Sequence, residues 1–223
     1  IVAFDELQQI REYGGINMEA VLRTYIQPLK NVNFIFCGSK KHLMFDIFAN
    51  ARNPFYASTS YVYLDKIDEE KYAEFIQCRF SEHGKTIERN AVDFILNFTK
   101  RHTFYTQSLC HFVFQHSKRL VNLQFVKEEA AKLIAMNENI YLQYRSLLTP
   151  QQWNYLKAVA KEGVVTQPMA NNFVVKHGIG TPANSQRILQ ALITKDLILE
   201  TTTKEHTEYS VYDVFLSRWL ESL

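Results

Sequence analysis

Apolar residues fall first in short unbroken runs and only later at helical spacing. Ile1-Val2-Ala3-Phe4 is a run of four that ends in Asp5-Glu6, and residues 32–37 form a second run that stops at Gly38-Ser39. Such runs bounded by turn residues read as buried strands of a parallel sheet. Between them, residues 17–29 place Met18, Val21, Leu22 and Tyr25 on one helical face, with Asn17 as N-cap. Residues 40–49 do the same with Leu43, Met44, Ile47 and Phe48. Strand, helix, strand, helix implies an α/β unit, and two strands are too few for its sheet, so this stretch reads as the second half of a larger α/β domain. Tyr61-Val62-Tyr63-Leu64 is a further strand candidate.

From residue 68 the period changes. Apolar stripes at three- and four-residue spacing predict helices over 68–83, 88–98, 103–117, 122–136 and 137–144, with Asp68 and Asn122 as start signals. Thr149-Pro150-Gln151-Gln152 then combines a cap, a proline at the first helical position and a glutamine three residues on, which predicts a helix to Lys161. A short helix over 168–176 stops at Gly178, and a third runs from Thr181-Pro182 to about 194. Two strands, 197–201 and 208–212, flank a polar turn before a last helix over 213–222. Three helices followed by a β-hairpin is the layout of a winged helix-turn-helix. The predicted domains are 1–64, 65–147 and 148–223, an α/β part followed by all-α and winged-helix parts.

Composition narrows the function classes. Lys and Arg number 25 against 23 Asp and Glu, a net charge of +2 spread evenly: 6 basic and 5 acidic residues over 1–64, 12 and 11 over 65–145, 7 and 7 over 146–223. No segment carries the basic surplus of a strong nucleic-acid footprint. Seven Gly and five Pro in 223 residues exclude long flexible linkers. Three scattered Cys fit a reducing, cytoplasmic compartment, with Cys37 read as buried strand packing. No apolar stretch is long enough for a membrane span, so no membrane partner is expected. The chain opens on Ile1 inside an apolar run, which reads as a cut from something longer.

The chemistry-bearing residues are few. An apolar strand ending in Asp5-Glu6 suits a phosphate-loop nucleotidase, in which the first acid holds Mg²⁺ and the second polarises the attacking water. The second strand ends near Ser39, a polar side chain placed to sense a terminal phosphate or to cap the following helix. His111 and His116 are five apart, poor for one helical face, and suggest no metal site.

Taken together, Phe36 through Met44, Asn53-Pro54-Phe55-Tyr56, His102 through Gln107, Leu148 through Gln152 and Tyr209 through Leu220 resemble a family. The chain is similar to the carboxyl-terminal part of the archaeal-type ATPases within the AAA+ and signal-transduction (STAND) group. The resemblance implies an ATP- and Mg²⁺-dependent switch built from a nucleotide-binding α/β domain, a helical lid and a winged helix. It implies Asp5 as the metal ligand, Glu6 as the water-activating acid, Ser39 as the phosphate sensor and Arg52 as a cation near the domain junction. His102 and Thr103 stand where related lids carry a Gly-x-Pro turn against the adenine. Neither Gly nor Pro is present here, and the alternative is a plain helix start with Thr103 as cap and Phe104 in the core. No Gly-x-x-x-x-Gly-Lys-Ser/Thr run occurs in residues 1–223. In this family that loop lies upstream of the Asp-Glu strand, so the expectation is that residues 1–223 alone do not hydrolyse ATP.

The winged helix offers Asn184, Gln186, Arg187 and Gln190 on its recognition-helix candidate, side chains able to read base edges. Arg187 is nearly the only cation there, and phosphate binding needs several. A DNA-binding regulator or a protein-contact module is therefore the alternative to the ATPase reading.

Overall fold

Two parallel strands, β1 (Val2–Phe4) and β2 (Phe34–Phe36), pair in the register Val2↔Phe34, Ala3↔Ile35, Phe4↔Phe36. The structure, a computed structural model, describes residues 1–38, 41–62, 64–203 and 205–223, without the side chains of Lys41 and His42. A 3₁₀ turn (Leu7–Glu12), α1 (Met18–Ile26) and α2 (Lys41–Ala49) complete the first of two units, Ile1–Asp65. Asn17 caps α1 as expected, its side chain accepting from the Ala20 amide at 3.1 Å. The core is small and aromatic: Leu7, Ile47, Phe48 and Phe55 are buried, and Phe36 lies 5.7 Å from Phe4 and 5.5 Å from Phe48, centroid to centroid. The strands are parallel, as the apolar runs predict, but not buried. Strand alternation turns Phe4, Phe34 and Phe36 toward α2 and leaves Ile35, 50% exposed, on an open face. No strand is present at Tyr61, Val62 or Leu64, and Tyr63 lies outside the described residues.

The second unit, Lys66–Leu223, begins with α3 (Glu69–Glu82), β3 (Thr86–Ile87), α4 (Arg89–Phe98) and α5 (Thr103–His116). It continues through β4 (Leu120–Val121), α6 (Leu123–Met136) and α7 (Glu138–Ser146). Asp68 and Asn122 cap α3 and α6 through their side chains. β3 and β4 were not legible as strands: they form a two-residue parallel bridge, the Thr86 amide donating to Arg119 O at 2.7 Å and the Glu88 amide to Val121 O at 3.0 Å. They pin the α3–α4 loop to the α5–α6 loop.

The winged helix follows as α8 (Pro150–Glu162), α9 (Asn171–His177), α10 (Pro182–Thr194), β5 (Ile198–Thr202), β6 (Thr207–Val211) and α11 (Val214–Glu221). Thr149 and Gln152 form the expected capping box, 3.2 Å and 3.1 Å. The antiparallel hairpin gains a third, one-residue rung where Val165 and Tyr209 exchange both backbone bonds at 2.9 Å. Within this unit the helices and the winged helix share one core. Phe215 of α11 meets Tyr105 of α5 at 4.8 Å, and Trp219 meets Tyr141 of α7 at 5.4 Å and Trp153 of α8 at 6.0 Å.

Candidate functional site

In the first unit the parallel register carries the carboxyl ends of both strands to one edge. The Cys37 amide donates to Phe4 O at 2.8 Å and the Leu7 amide to Cys37 O at 3.0 Å, so the ladder continues past the strands and sets Asp5 and Glu6 beside Cys37 and Gly38. In open α/β sheets this edge is where ligands bind. Gly38 suits the crowding here: a Cβ on it would run into the Gln8 side chain and lie 2.6 Å from Met44 Cγ. Ser39, the expected sensor, lies outside the described residues. Cys37 is exposed, not buried as its apolar run suggests, because it already lies past the last strand residue.

Asp5 is exposed, and its Oδ1 accepts from the Glu6 amide at 2.9 Å. Glu6 is half-buried at φ +49°, ψ +42°, a left-handed conformation that costs a non-glycine residue about 1–2 kcal/mol. Its Oε2 accepts from Gln8 Nε2. Strained backbone of this kind concentrates at functional positions. One exposed carboxylate fits a Mg²⁺ that takes its remaining ligands from water and phosphate oxygens. Among the described residues no group of three or more His, Cys, Asp or Glu could hold a metal. ATP fits less well, since residues 1–223 lack the glycine-rich loop that cradles its phosphates.

Arg52 is exposed, in the loop after α2, where its amide donates to Asn50 Oδ1 at 3.1 Å. A cluster missed by local spacing lies in the same unit. Arg11 donates from Nε to Glu19 Oε1 and from Nη1 to Asp46 Oδ2, both at 2.6 Å. Asp46 also receives Asn50 and Arg11 bonds that hold its carboxyl below the usual range. Burial pulls the Arg11 guanidinium down, but the two carboxylates outweigh it and raise its pKa above the ordinary value.

His102 and Thr103 belong to the second unit. The cap expectation is corrected there: His102, not Thr103, is the N-cap of α5, its side chain makes no capping bond, and Phe104 is exposed, not in the core. Its ring packs edge-on to Tyr105 at 4.9 Å. Burial, then the nearby Lys66, push the imidazole below its usual range, while Asp213 pulls the other way. The turn before it is a Schellman motif: Arg101 N donates to Leu96 O at 2.9 Å and Lys100 N to Asn97 O at 3.2 Å. Lys100 and Arg101 both hold positive φ, +52° and +56°. The left-handed turn that glycine would favour is thus present without glycine, which is why the sequence does not announce it.

On α10, Gln186, Arg187 and Gln190 are exposed along one face. Asn184 is half-buried and engaged, its Nδ2 on Gln151 Oε1 and its Oδ1 accepting from Arg187 Nη2, both at 3.3 Å. The structure adds Lys195 to this face. With Ala183, Ala191 and Thr194, these residues line an open hollow of about 660 Å³. The spacing 187, 191, 195 was the available signal.

Residues 139–222 match a family model described as a probable winged helix domain. Among solved structures, the chain is similar to a Walker-type ATPase of Pyrococcus abyssi, with a TM-score of 0.66 at 18% identity. The match covers 98% of this chain and 62% of that one, so the chain spans less than two thirds of that ATPase. It also aligns with a RuvB mutant of Thermotoga maritima, at TM-score 0.49 and 14% identity, over 92% of this chain and 67% of that one. No curated protein sequence matches. The fold, small parallel sheets and helices, is accordingly similar to that of part of the Walker-type ATPase, and residues 139–222 form its winged helix. No helix of the described residues is long and apolar enough to cross a membrane.

Proposed function

We propose that residues 1–223 are the metal-holding strand, helical lid and winged helix of a nucleotide-driven switch of the AAA+/STAND kind. Residues 1–64, 65–147 and 148–223 are its three parts. The observation that carries the reading is the parallel β1–β2 edge, which sets Asp5 and a strained Glu6 beside Cys37 and Gly38. The open face of the strand pair, with Ile35 half exposed, supports a sheet completed by further strands, since parallel sheets are covered on both faces.

In this reading the free carboxylate oxygen of Asp5 holds Mg²⁺, which would neutralise phosphate charge when bound. The Glu6 carboxylate, oriented by Gln8, accepts a hydrogen bond from the attacking water and draws off its proton. Ser39 and Arg52 are the phosphate-contacting residues of this unit, and His102 and Thr103 are the nucleotide-contacting candidates of the lid itself. Movement of the lid takes the winged helix with it, because the two share one core.

Calorimetric titration of MgATP into residues 1–223 tests the division of labour. The expected result is no sub-millimolar binding, as the phosphate loop is not among these residues. Tight binding overturns it. A second reading, a DNA-contacting winged helix, is favoured by Arg187 and Lys195 beside Gln186 and Gln190 on the open α10 face. Salt-dependent DNA binding that Arg187→Ala abolishes would establish it.

A further inference from the structure

The Arg11 cluster lies beside a hollow of about 400 Å³ on the first unit, within the size range of small-molecule sites. Glu19 lines it from α1, with a side chain only 8% exposed. Its Oε1 takes the Arg11 bond, but its Oε2 is buried and has no hydrogen-bond partner among the described residues. A buried carboxylate oxygen without a donor is costly. Asp46, across the hollow's lining, is by contrast half-exposed at its side chain and engaged on both oxygens: Arg11 and Asn53 on Oδ2, Asn50 on Oδ1. Two carboxylates share one guanidinium, leaving a net charge of −1. Ile10, Ile16 and Met18 supply apolar wall, Ile16 being exposed at the rim.

We infer that this hollow binds a small organic cation bearing a guanidinium or primary ammonium group, whose N–H donates to the Glu19 carboxylate once that side chain turns its buried Oε2 toward the hollow, while its carbon chain lies on Ile10, Ile16 and Met18. A metal ion fits less well, because Arg11 already stands between the only two carboxylates and no third acid, His or Cys joins them among the described residues. The inference is independent of the nucleotide reading, since it uses neither Asp5 nor Glu6.

The test is a titration of residues 1–223 with agmatine, which carries both cationic groups, followed by NMR at Ile10, Ile16 and Met18. Choline, a cation without N–H donors, and Mg²⁺ serve as comparison probes. Saturable shifts with agmatine alone are expected. Glu19→Gln keeps the shape but loses the charge, and should weaken agmatine about tenfold or more. Ile16→Lys, at an exposed position, places an ammonium in the hollow and should abolish the shifts. Should Glu19→Gln fail to fold, the Ile16→Lys and choline arms still decide. No saturable shift, equal response to choline or Mg²⁺, or agmatine binding unchanged in Ile16→Lys would overturn the inference.

Discussion

Arg218 gives the sharpest test of whether the winged helix and the helices before it act as one body. Its guanidinium leaves α11 and donates from Nε to Phe98 O at 2.9 Å and from Nη2 to Asn97 O at 3.0 Å. These carbonyls end α4, where helix geometry leaves acceptors without intrahelical donors. The group also sits 5.2 Å over the Phe98 ring and pairs with Glu221 at 2.8 Å. A hydrogen bond to a charged group contributes about 1.5–3 kcal/mol, and two of them at a side chain 24% exposed give about 3 kcal/mol. The ring contact adds about 0.5 kcal/mol and the Glu221 pair little. Arg218→Met should therefore cost about 2–4 kcal/mol, and Arg218→Lys, which keeps the charge but not the fork, about half of that. Urea unfolding followed by tryptophan fluorescence is the assay, because Trp153 and Trp219 are the only tryptophans and both lie in this unit. A loss below about 0.5 kcal/mol in Arg218→Met, within the range of ordinary surface changes, refutes the reasoning.

Two further outcomes rest on the turn between α4 and α5. Lys100→Gly should stabilise the second unit by about 1 kcal/mol, since glycine takes the left-handed C′ position without penalty and the Lys100 bond to Gly163 O is a long 3.4 Å. A loss of stability in the same urea assay counts against it. His102 has a folded pKa below its unfolded value, so near and below pH 6.5 the unfolded chain binds the extra proton. Stability should fall as pH drops through that window, and the His102→Gln variant should show a shallower fall. Parallel pH profiles for the two proteins would exclude His102 as a source.

The parts legible in sequence are those with local signals. Thr149-Pro150 and Thr181-Pro182 announce α8 and α10 because capping and the proline at N1 are written into adjacent residues. The Asp5-Glu6 edge is legible because a strand end and its acids are contiguous. β3 and β4 escape because two residues carry no periodicity, and their pairing spans Thr86 to Leu120. The Schellman turn escapes because lysine and arginine occupy positions that glycine usually marks. The Arg11–Glu19–Asp46 cluster escapes because it is made by three elements meeting, with no spacing that would point to it.

Glu6 is the residue on which ATP turnover by such a switch depends most directly. MgATP hydrolysis should be measured in the whole gene product that carries these residues, with wild type set against Glu6→Gln and nucleotide binding followed in parallel. Loss of an acid that takes the water's proton predicts turnover about 100-fold slower or more, with MgATP affinity retained. Unchanged turnover in Glu6→Gln, or no MgATP binding by the wild-type product, would contradict the assignment.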